Sequence, residues 1–285
     1  MLLALDVGNT NTVLGLYRPP SDQLIAHWRT TTLHHQTSDE YGVLFLNLFS
    51  LNKIDPGDVA SIIIASVVPP VESVLREVCE RYFHIKPIFV EPGIKTGMPI
   101  LVDNPAELGA DRLVNGVAAY SRYGGPCIVV DFGTATTFDV VSARGEYIGG
   151  VIAPGIGLSA EALFARAARL SRVDIRKPAK VIGTNTVAHL QSGLYYGYVG
   201  LVDGILERIL QELSLRETSS REEHAADPSD LVKVIATGGL ARMVAAESKY
   251  IATIDDMLTL EGLRLVYERN RAAKAKHAEA GARHG

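Results

Sequence analysis

Short apolar runs alternate with stretches of helically spaced apolar residues along the first third of the chain. Runs of four to eight apolar residues that end at turn residues fit buried strands. Tyr41, Leu44 and Phe45 recur at helical spacing after the possible caps Ser38 and Asp39. The predicted elements are strands at 2–5, 12–17 and 24–32, a helix at 38–51, a strand at 61–67, a helix at 71–83 and a strand at 87–90.

The same order of patterns begins again near residue 127. Strands are predicted at 127–130, 138–141, 147–152 and 233–236, and helices at 157–168, at 187–213 and after Gly238 and Gly239. When Asp6 is aligned with Asp131, strand falls on strand, and Asp-x-Gly followed by Asn or Thr falls on the same motif. A repeat of nearly half the chain predicts two duplicated α/β domains rather than a short-period solenoid.

The repeat sets the predicted domain boundaries in this chain of 285 residues. We expect one domain at 1–118, a second at 119–262, and the end of a C-terminal helix with a frayed tail at 263–285. The join falls in the predicted helix at 112–120. The segment 216–230 is rich in Glu, Ser, Arg and Asp, which predicts a solvated loop.

Composition narrows the classes of protein that the chain can be. The 28 basic residues nearly balance 32 acidic ones, for a formal charge of −4, which argues against a nucleic acid or an anionic membrane as the main partner. With 47% hydrophobic residues, the chain should fold rather than remain disordered. No apolar run reaches membrane-spanning length, and Asp6 and Gly8 interrupt the first strand in a way that a signal peptide would not allow.

The two cysteines, Cys79 and Cys127, lie far apart in apolar surroundings. They can build neither a disulfide framework nor a thiolate zinc site. We therefore expect a cytoplasmic protein.

Two polar hairpins carry the chemistry that the sequence suggests. In the segment Asp6–Thr12, Gly8 permits a tight turn whose amides can face an anion, and Asp6 is placed to hold a water of hydrated magnesium. Alone, this segment could equally be a hairpin with Asx turns. Its repetition at Asp131–Thr134 favours two hairpins that grip one triphosphate from both sides of a cleft.

Two further segments have both structural and functional interpretations. The pair Gly238-Gly239 at the end of a strand allows close approach of a flat ligand, or simply tight packing of strand on helix. Asn104 and Glu107 fit a helix cap. Asp111 and Arg112 could serve a substrate hydroxyl and a substrate carboxylate, or form a surface salt bridge.

Six segments stand in a fixed order between residue 2 and about residue 263: Asp6–Thr12, Gly109–Arg112, Asp131–Thr137, Gly149–Gly155, Gly183–Val187 and Ala236–Gly239. As a set, they resemble the type III pantothenate kinase family. The resemblance implies two duplicated actin-like, or ribonuclease H-like, domains with a cleft between them. It also implies phosphorylation of pantothenate by ATP to give 4′-phosphopantothenate, the first step of coenzyme A biosynthesis, with magnesium bound to the ATP.

The resemblance further implies a role for individual residues. Asp111 would accept the proton of the pantothenate hydroxyl, Asp131 would hold a monovalent cation, K⁺ or NH₄⁺, and Thr134 would contact ATP. The remaining implied contacts are Asp6, Val7, Gly8, Asn9, Thr10, Asn11, Thr12 and Val13 with the ATP phosphates, and Gly109, Ala110, Asp111, Arg112 and Thr186 with pantothenate. A homodimer with sites near its interface is also implied, and the long apolar series at 187–213 agrees with it, although a helix buried on two sides would show the same pattern.

The chain departs from the family pattern at two positions, and other functions can be weighed against the resemblance. Family members often carry an aromatic residue where this chain has Val102, a substrate-contact position, and Phe132 replaces a commoner leucine. A sugar, acetate or polyphosphate kinase or phosphatase of the same fold would share the hairpins but not need Gly109–Arg112. A non-catalytic relative, such as a transcription accessory factor, would not need Asp111, which is present.

Overall fold

The computed structural model describes residues 1–19, 22–167, 170, 172–218 and 232–282, with the side chains of 215–218 and 274–282 left out. The chain forms two compact units. Unit 1 contains Met1–Ser121 and Met257–Gly285, and unit 2 contains Arg122–Asp256.

Unit 1 is built on a mixed five-stranded sheet whose central strand ends at the first polar hairpin. Strand β1 pairs antiparallel with β2 and parallel with β4, and the order across the sheet is β3-β2-β1-β4-β5. Strand bounds are β1 Leu2–Val7, β2 Asn11–Arg18, β3 Gln23–Thr31, β4 Ser61–Ser66 and β5 Ile88–Phe89.

Helices α1 (Ser38–Leu51), α2 (Pro69–Tyr82) and α3 (Ala110–Tyr123) follow the strands of unit 1. The α1 and α2 faces pack on the sheet around fully buried Phe45 and Leu75. Thr37, not Ser38 or Asp39, caps α1, because its hydroxyl accepts from the Glu40 amide while the Glu40 carboxylate accepts from the Thr37 amide.

Unit 2 repeats the sheet of unit 1 with equivalent strands in equivalent places. Its order is β10-β9-β6-β7-β8, with β6 antiparallel to β7 and parallel to β9. The two sheets confirm the predicted duplicated α/β architecture. Strand bounds are β6 Cys127–Phe132, β7 Ala135–Val141, β8 Tyr147–Pro154, β9 Lys233–Gly238 and β10 Thr253–Ile254.

The long helix α5 (Thr186–Thr218) supplies most of the core that covers one face of the second sheet. Its Val202 and Leu206 are fully buried with Val130 and Phe138 of the strands. Helices α4 (Ile156–Arg166) and α6 (Ala241–Ala245) complete unit 2. Helix α5 runs through Thr218, and the rest of the loop predicted at 216–230 lies outside the described residues.

The C-terminal helix α7 (Leu258–Ala282) belongs to unit 1, whereas the sequence analysis placed its first residues in the second domain. Tyr267 forms a hydroxyl hydrogen bond of 2.6 Å with Ser61 of β4, and Asn270 donates to the Lys95 carbonyl. The helix also continues past Arg269, where fraying was expected. Ala, Lys, Arg and Glu in this segment have high helix propensity, which accounts for the continuation.

Cys79 and Cys127 are both free and buried, and burial raises the pKa of each thiol to about 12. Among the helices that the structure covers, none has both the length and the hydropathy of a membrane span.

Candidate active site

The first polar hairpin lies at the carboxyl end of β1 in unit 1. Asp6 pairs with Val13 of β2 on one side and with Ala65 of β4 on the other. The Gly8 amide donates to the Asn11 carbonyl at 3.0 Å, which closes the turn. Asn9 and Thr10 form its exposed tip. The tip therefore presents polar side chains to solvent beside a carboxylate.

The segment after β3 braces this hairpin. The Thr32 amide donates to the Thr10 carbonyl at 2.9 Å, and His34 Nε2 lies 3.3 Å from the Asn9 carbonyl oxygen. The hydroxyls of Thr12 and Thr32 lie 2.8 Å apart, and Thr12 is fully buried. Within the predicted phosphate-binding set, the buried side chains of Thr12 and Val7 therefore hold the hairpin in place, while Asn9 and Thr10 remain accessible.

Asp111 lies in the first turn of α3, and the preceding segment differs from the predicted helix start. Pro105–Glu107 is a 3-10 turn in which the Asn104 side chain accepts from the Ala106 amide, and the α-helix begins only at Ala110. The break at Leu108 and Gly109 separates the two. As a result, Asp111 is half-buried in the first turn of a helix rather than lying in the helix interior.

Burial and hydrogen bonding act in opposite directions on the Asp111 carboxylate. Burial raises the pKa of Asp111 above its ordinary value, and the hydrogen bond from the Arg112 amide and the charge of the Arg112 guanidinium offset part of that rise. The Arg112 amide donates to Asp111 Oδ1 at 2.8 Å. A Cβ at Gly109 would lie 2.6 Å from the same oxygen, so glycine leaves room for the carboxylate. Val102 is half-buried in the same unit.

The second polar hairpin lies at the carboxyl end of β6 in unit 2. Asp131 pairs with Thr137 of β7 and with Thr237 of β9. The Gly133 amide donates to the Ala135 carbonyl at 3.1 Å, so this loop is one residue shorter than the first. The buried position of Thr12 is taken by Thr136, which is also fully buried and hydrogen bonds with Tyr198.

Two glycines from the predicted motifs pack against this second hairpin. The Gly155 amide donates to the Thr134 carbonyl at 3.2 Å, and a Cβ there would collide with that carbonyl oxygen. Gly238 has φ +92°, and its Cβ would lie 2.6 Å from Asp131 Oδ1. Gly238 at the strand end therefore permits close packing against the hairpin.

Thr186 is the first residue of α5 and is exposed. The Asn185 side chain caps the helix by accepting from the Ala188 amide at 2.9 Å, and His189 Nε2 lies 3.1 Å from the Gly183 carbonyl oxygen. The motif Gly183–Val187 is thus a helix start that presents Thr186 to solvent.

The oxygen groups around Asp131 fit a hard cation. Its two cross-strand neighbours, Thr137 and Thr237, carry hydroxyls, and carboxylate with hydroxyl oxygen suits an alkali cation better than a thiophilic metal. Asp6 is a single carboxylate, which fits a divalent ion that keeps several waters. Within the part of the chain that the structure covers, no cluster of three or more His, Cys, Asp or Glu could hold a metal ion.

The family model described as type III pantothenate kinase matches residues 2–208. Proteins named type III pantothenate kinase are 60% identical in Koribacter versatilis, over 97% of this chain and 98% of that protein, and 54% identical in Myxococcus xanthus, over 96% and 100%. The Acidobacterium capsulatum protein of that name is 56% identical over 97% of each chain.

Two solved structures share the fold at low sequence identity. A Campylobacter jejuni protein assigned to the Baf family of transcriptional activators aligns with a TM-score of 0.56 at 19% identity, over 95% of this chain and 99% of that one. A Sinorhizobium meliloti protein assigned as 2-dehydro-3-deoxygalactonokinase aligns with a TM-score of 0.51 at 13% identity, over 94% and 96%. These two likenesses concern the fold alone.

Proposed function

Because the chain belongs to the type III pantothenate kinase family, it is a phosphotransferase with an alcohol acceptor, and we propose that Asp111 is the base of its reaction. The reaction is the ATP-dependent phosphorylation of pantothenate to 4′-phosphopantothenate, in coenzyme A biosynthesis. The observation that carries the assignment of Asp111 is a carboxylate in the first turn of α3 whose pKa burial raises.

Phosphoryl transfer does not require a strong general base. The transition state is loose, so the hydroxyl loses its proton late, and positioning with charge stabilisation supplies most of the acceleration. Asp111 then needs only to accept a hydrogen bond from the attacking hydroxyl and to take its proton as the new P–O bond forms. A raised pKa favours that transfer, because a more basic carboxylate holds the proton better.

The first hairpin supplies the proposed contacts to the ATP phosphates. The residues are Asp6, Val7, Gly8, Asn9, Thr10, Asn11, Thr12 and Val13, and Thr134 of the second hairpin is the further ATP contact. The kinase family uses ATP with a divalent metal, which neutralises phosphate charge. Asp6 would hold the magnesium ion through a water.

Pantothenate contacts are proposed at both the start of α3 and the start of α5. The Arg112 guanidinium can take the pantothenate carboxylate through two parallel hydrogen bonds. Gly109 and Ala110 supply backbone, Thr186 supplies a hydroxyl, and Val102 supplies an apolar side chain.

Asp131 is the proposed ligand of a monovalent cation, K⁺ or NH₄⁺. The threonine hydroxyls beside it support this assignment. When bound, the cation adds positive charge near the phosphates, where no lysine stands in either hairpin segment. We propose that the enzyme works in the cytoplasm, where ATP is available. We also propose that it is a homodimer.

One assay tests the proposal. Purified protein is incubated with ATP, magnesium and pantothenate in KCl, in NH₄Cl or in NaCl at equal ionic strength, and 4′-phosphopantothenate is measured. We expect product in potassium and ammonium and little in sodium, and no K⁺ response in Asp131→Ala. Failure to phosphorylate pantothenate in any salt would overturn the function, and full activity in sodium would overturn the cation site.

A further inference from the structure

A buried hydrogen-bonded chain runs beneath the second hairpin in unit 2. Asp139 of β7 is fully buried, and its carboxylate accepts from the Tyr147 hydroxyl at 2.6 Å and from the Thr137 hydroxyl at 3.1 Å. Each of the two donors uses a different carboxylate oxygen. A fully buried carboxylate is costly, so its presence in a strand of the sheet calls for an explanation.

The chain fixes the direction of the Thr137 hydroxyl. A threonine hydroxyl has one proton and two lone pairs, and here the proton is donated to Asp139 Oδ2. The lone pairs of Thr137 Oγ1 are what remains, so this oxygen can act only as an acceptor toward any other partner.

The strand register places that acceptor beside Asp131. Thr137 is the direct cross-strand partner of Asp131, and direct partners on one face of an antiparallel pair have Cβ atoms about 4.5–5.5 Å apart. Asp139 follows two residues later on β7 and so lies on the same face. A carboxylate and an acceptor-only hydroxyl together are a natural pair of oxygens for a cation.

The duplicated hairpin of unit 1 has none of these groups at the matching positions. Around Asp6, the register puts Val13 in place of Thr137, Gly15 in place of Asp139, and Ala65 in place of Thr237. The position of Tyr147 is occupied by Leu24, and the Leu24 and Leu260 side chains fill the space over Gly15. The hydrogen-bonded set of Thr137, Asp139 and Tyr147 therefore belongs to the second hairpin alone and is not a general property of the repeated fold.

We infer that Asp139 and Tyr147 hold the Thr137 hydroxyl as an acceptor, which makes Thr137 Oγ1 the second protein oxygen of the monovalent-cation site at Asp131. This rests on the proposed cation at Asp131. Asp139 and Tyr147 act through Thr137, so they are positioning residues. The site's two protein ligands, the Asp131 carboxylate and the Thr137 hydroxyl, are oxygen atoms, which suit a hard cation such as K⁺.

Four variants test the inference. Thr137→Val removes the hydroxyl at nearly constant shape, and Thr137→Ser keeps it. Asp139→Asn keeps one acceptor for Tyr147 but turns an N–H toward Thr137. The Thr137 hydroxyl can no longer donate there, so it rotates and points its proton toward Asp131. Thr253→Val is the matched control, because Thr253 is also half-buried on a strand of the same sheet.

The first of two readouts, thermal unfolding, does not depend on turnover. KCl replaces choline chloride at constant ionic strength, and the midpoint of the K⁺-induced rise in melting temperature is measured for each protein, followed by the K⁺ half-saturation of kinase activity. We expect Thr137→Val and Asp139→Asn to raise both midpoints about 10- to 100-fold, the range seen when a supporting partner of a metal ligand is lost. Thr137→Ser and Thr253→Val should titrate like the wild type.

The outcomes distinguish the role of Thr137 from the proposed cation at Asp131. A wild-type midpoint in Thr137→Val overturns this inference and leaves the cation at Asp131 standing. A wild-type enzyme that is active without any response to K⁺ overturns the cation proposal itself. If Asp139→Asn does not fold, the pair Thr137→Val and Thr137→Ser decides the question alone.

Discussion

The Asp111 carboxylate experiences two opposing influences whose balance can be measured. Burial raises its pKa, and the Arg112 amide and guanidinium lower it by less. Since the folded-state pKa is raised, ionised Asp111 costs stability at every pH above that value. A neutral isostere should therefore remove activity and stability cost together.

For Asp111→Asn we expect kcat to fall by about 10²- to 10⁴-fold while ATP binding and the fold are retained. The melting temperature at neutral pH should be unchanged or higher, because the asparagine oxygen still accepts from the Arg112 amide without a buried charge. Steady-state kinetics and thermal unfolding provide the two measurements, with Asp103→Asn, an exposed carboxylate nearby, as the control. Near wild-type kcat in Asp111→Asn would remove this residue from the mechanism.

The same carboxylate should set the acid side of the pH profile. The base must be unprotonated, and its pKa is raised, so kcat/KM should fall as pH decreases with an inflection above the ordinary aspartate value of about 3.9. A pH series of kcat/KM for pantothenate measures the inflection. A profile that stays flat down to pH 4 would contradict the role.

The second hairpin makes a close contact with the start of α4. Gly155 donates to the Thr134 carbonyl and leaves no room for a Cβ, so the hairpin and the helix are fixed as one piece. Gly157, two residues later, has open space around its Cβ position and is exposed. A side chain is therefore excluded at Gly155, the cap of α4, but can be accommodated at Gly157 in its first turn.

Gly155→Ala should displace the hairpin, destabilise the protein by about 1–3 kcal/mol and raise KM for ATP. Gly157→Ala, the matched substitution, should be neutral or stabilising by up to about 1 kcal/mol, because alanine is the better helix former. Chemical unfolding and ATP titration of the initial rate report both effects. Equal behaviour of the two variants would show that the contact at Gly155 does not hold the hairpin.

Local patterns were sufficient for most elements of the fold. Continuous apolar runs located the central strands, which are buried on both faces, and helical spacing located helix α1, which buries one face. Strand β10 was missed, since its two residues, Thr253 and Ile254, are too short to show a period. The sequence predicts an α-helix start after Asn104, where the structure has a 3-10 turn, because both begin with the same side-chain cap.

The candidate site was predictable in position but not in detail. Asp6 and Asp131 could be found because the repeat marked them. The burial of Thr12 against Thr32, the brace from His34 and the clash at Gly155 depend on contacts between segments far apart in sequence. Residue type and spacing along the chain do not report such contacts.

At the scale of the whole molecule, exposed hydrophobic side chains are unevenly distributed. Six of the ten large hydrophobic residues that the structure shows as exposed lie within residues 152–187 of unit 2: Ile152, Leu158, Leu163, Val181, Ile182 and Val187. The apolar series of α5, used above as a sign of a dimer, is instead largely buried within its own unit. A partner surface is therefore better sought at 152–187.

We expect light scattering at micromolar concentration to give about twice the 30.7 kDa chain mass. Ile182→Asp, at an 84% exposed position, should shift the mass toward the monomer, because it puts a charge into an apolar interface. Leu51→Asp, 80% exposed in unit 1, should remain a dimer. A wild-type mass near 30.7 kDa in an active preparation would show that no dimer is needed.

The return of α7 to unit 1 has a consequence for the order in which the protein is made. Residues 122–256 form unit 2 without interruption, while unit 1 waits for the chain from Met257 onward. A ribosome that works from the N-terminus has therefore delivered every residue of unit 2 before it delivers the helix that covers β1. Unit 1, whose synthesis begins first, is therefore completed last. A premature stop codon near the end of the message would remove α7 and leave the sheet of unit 1 without the helix that covers it.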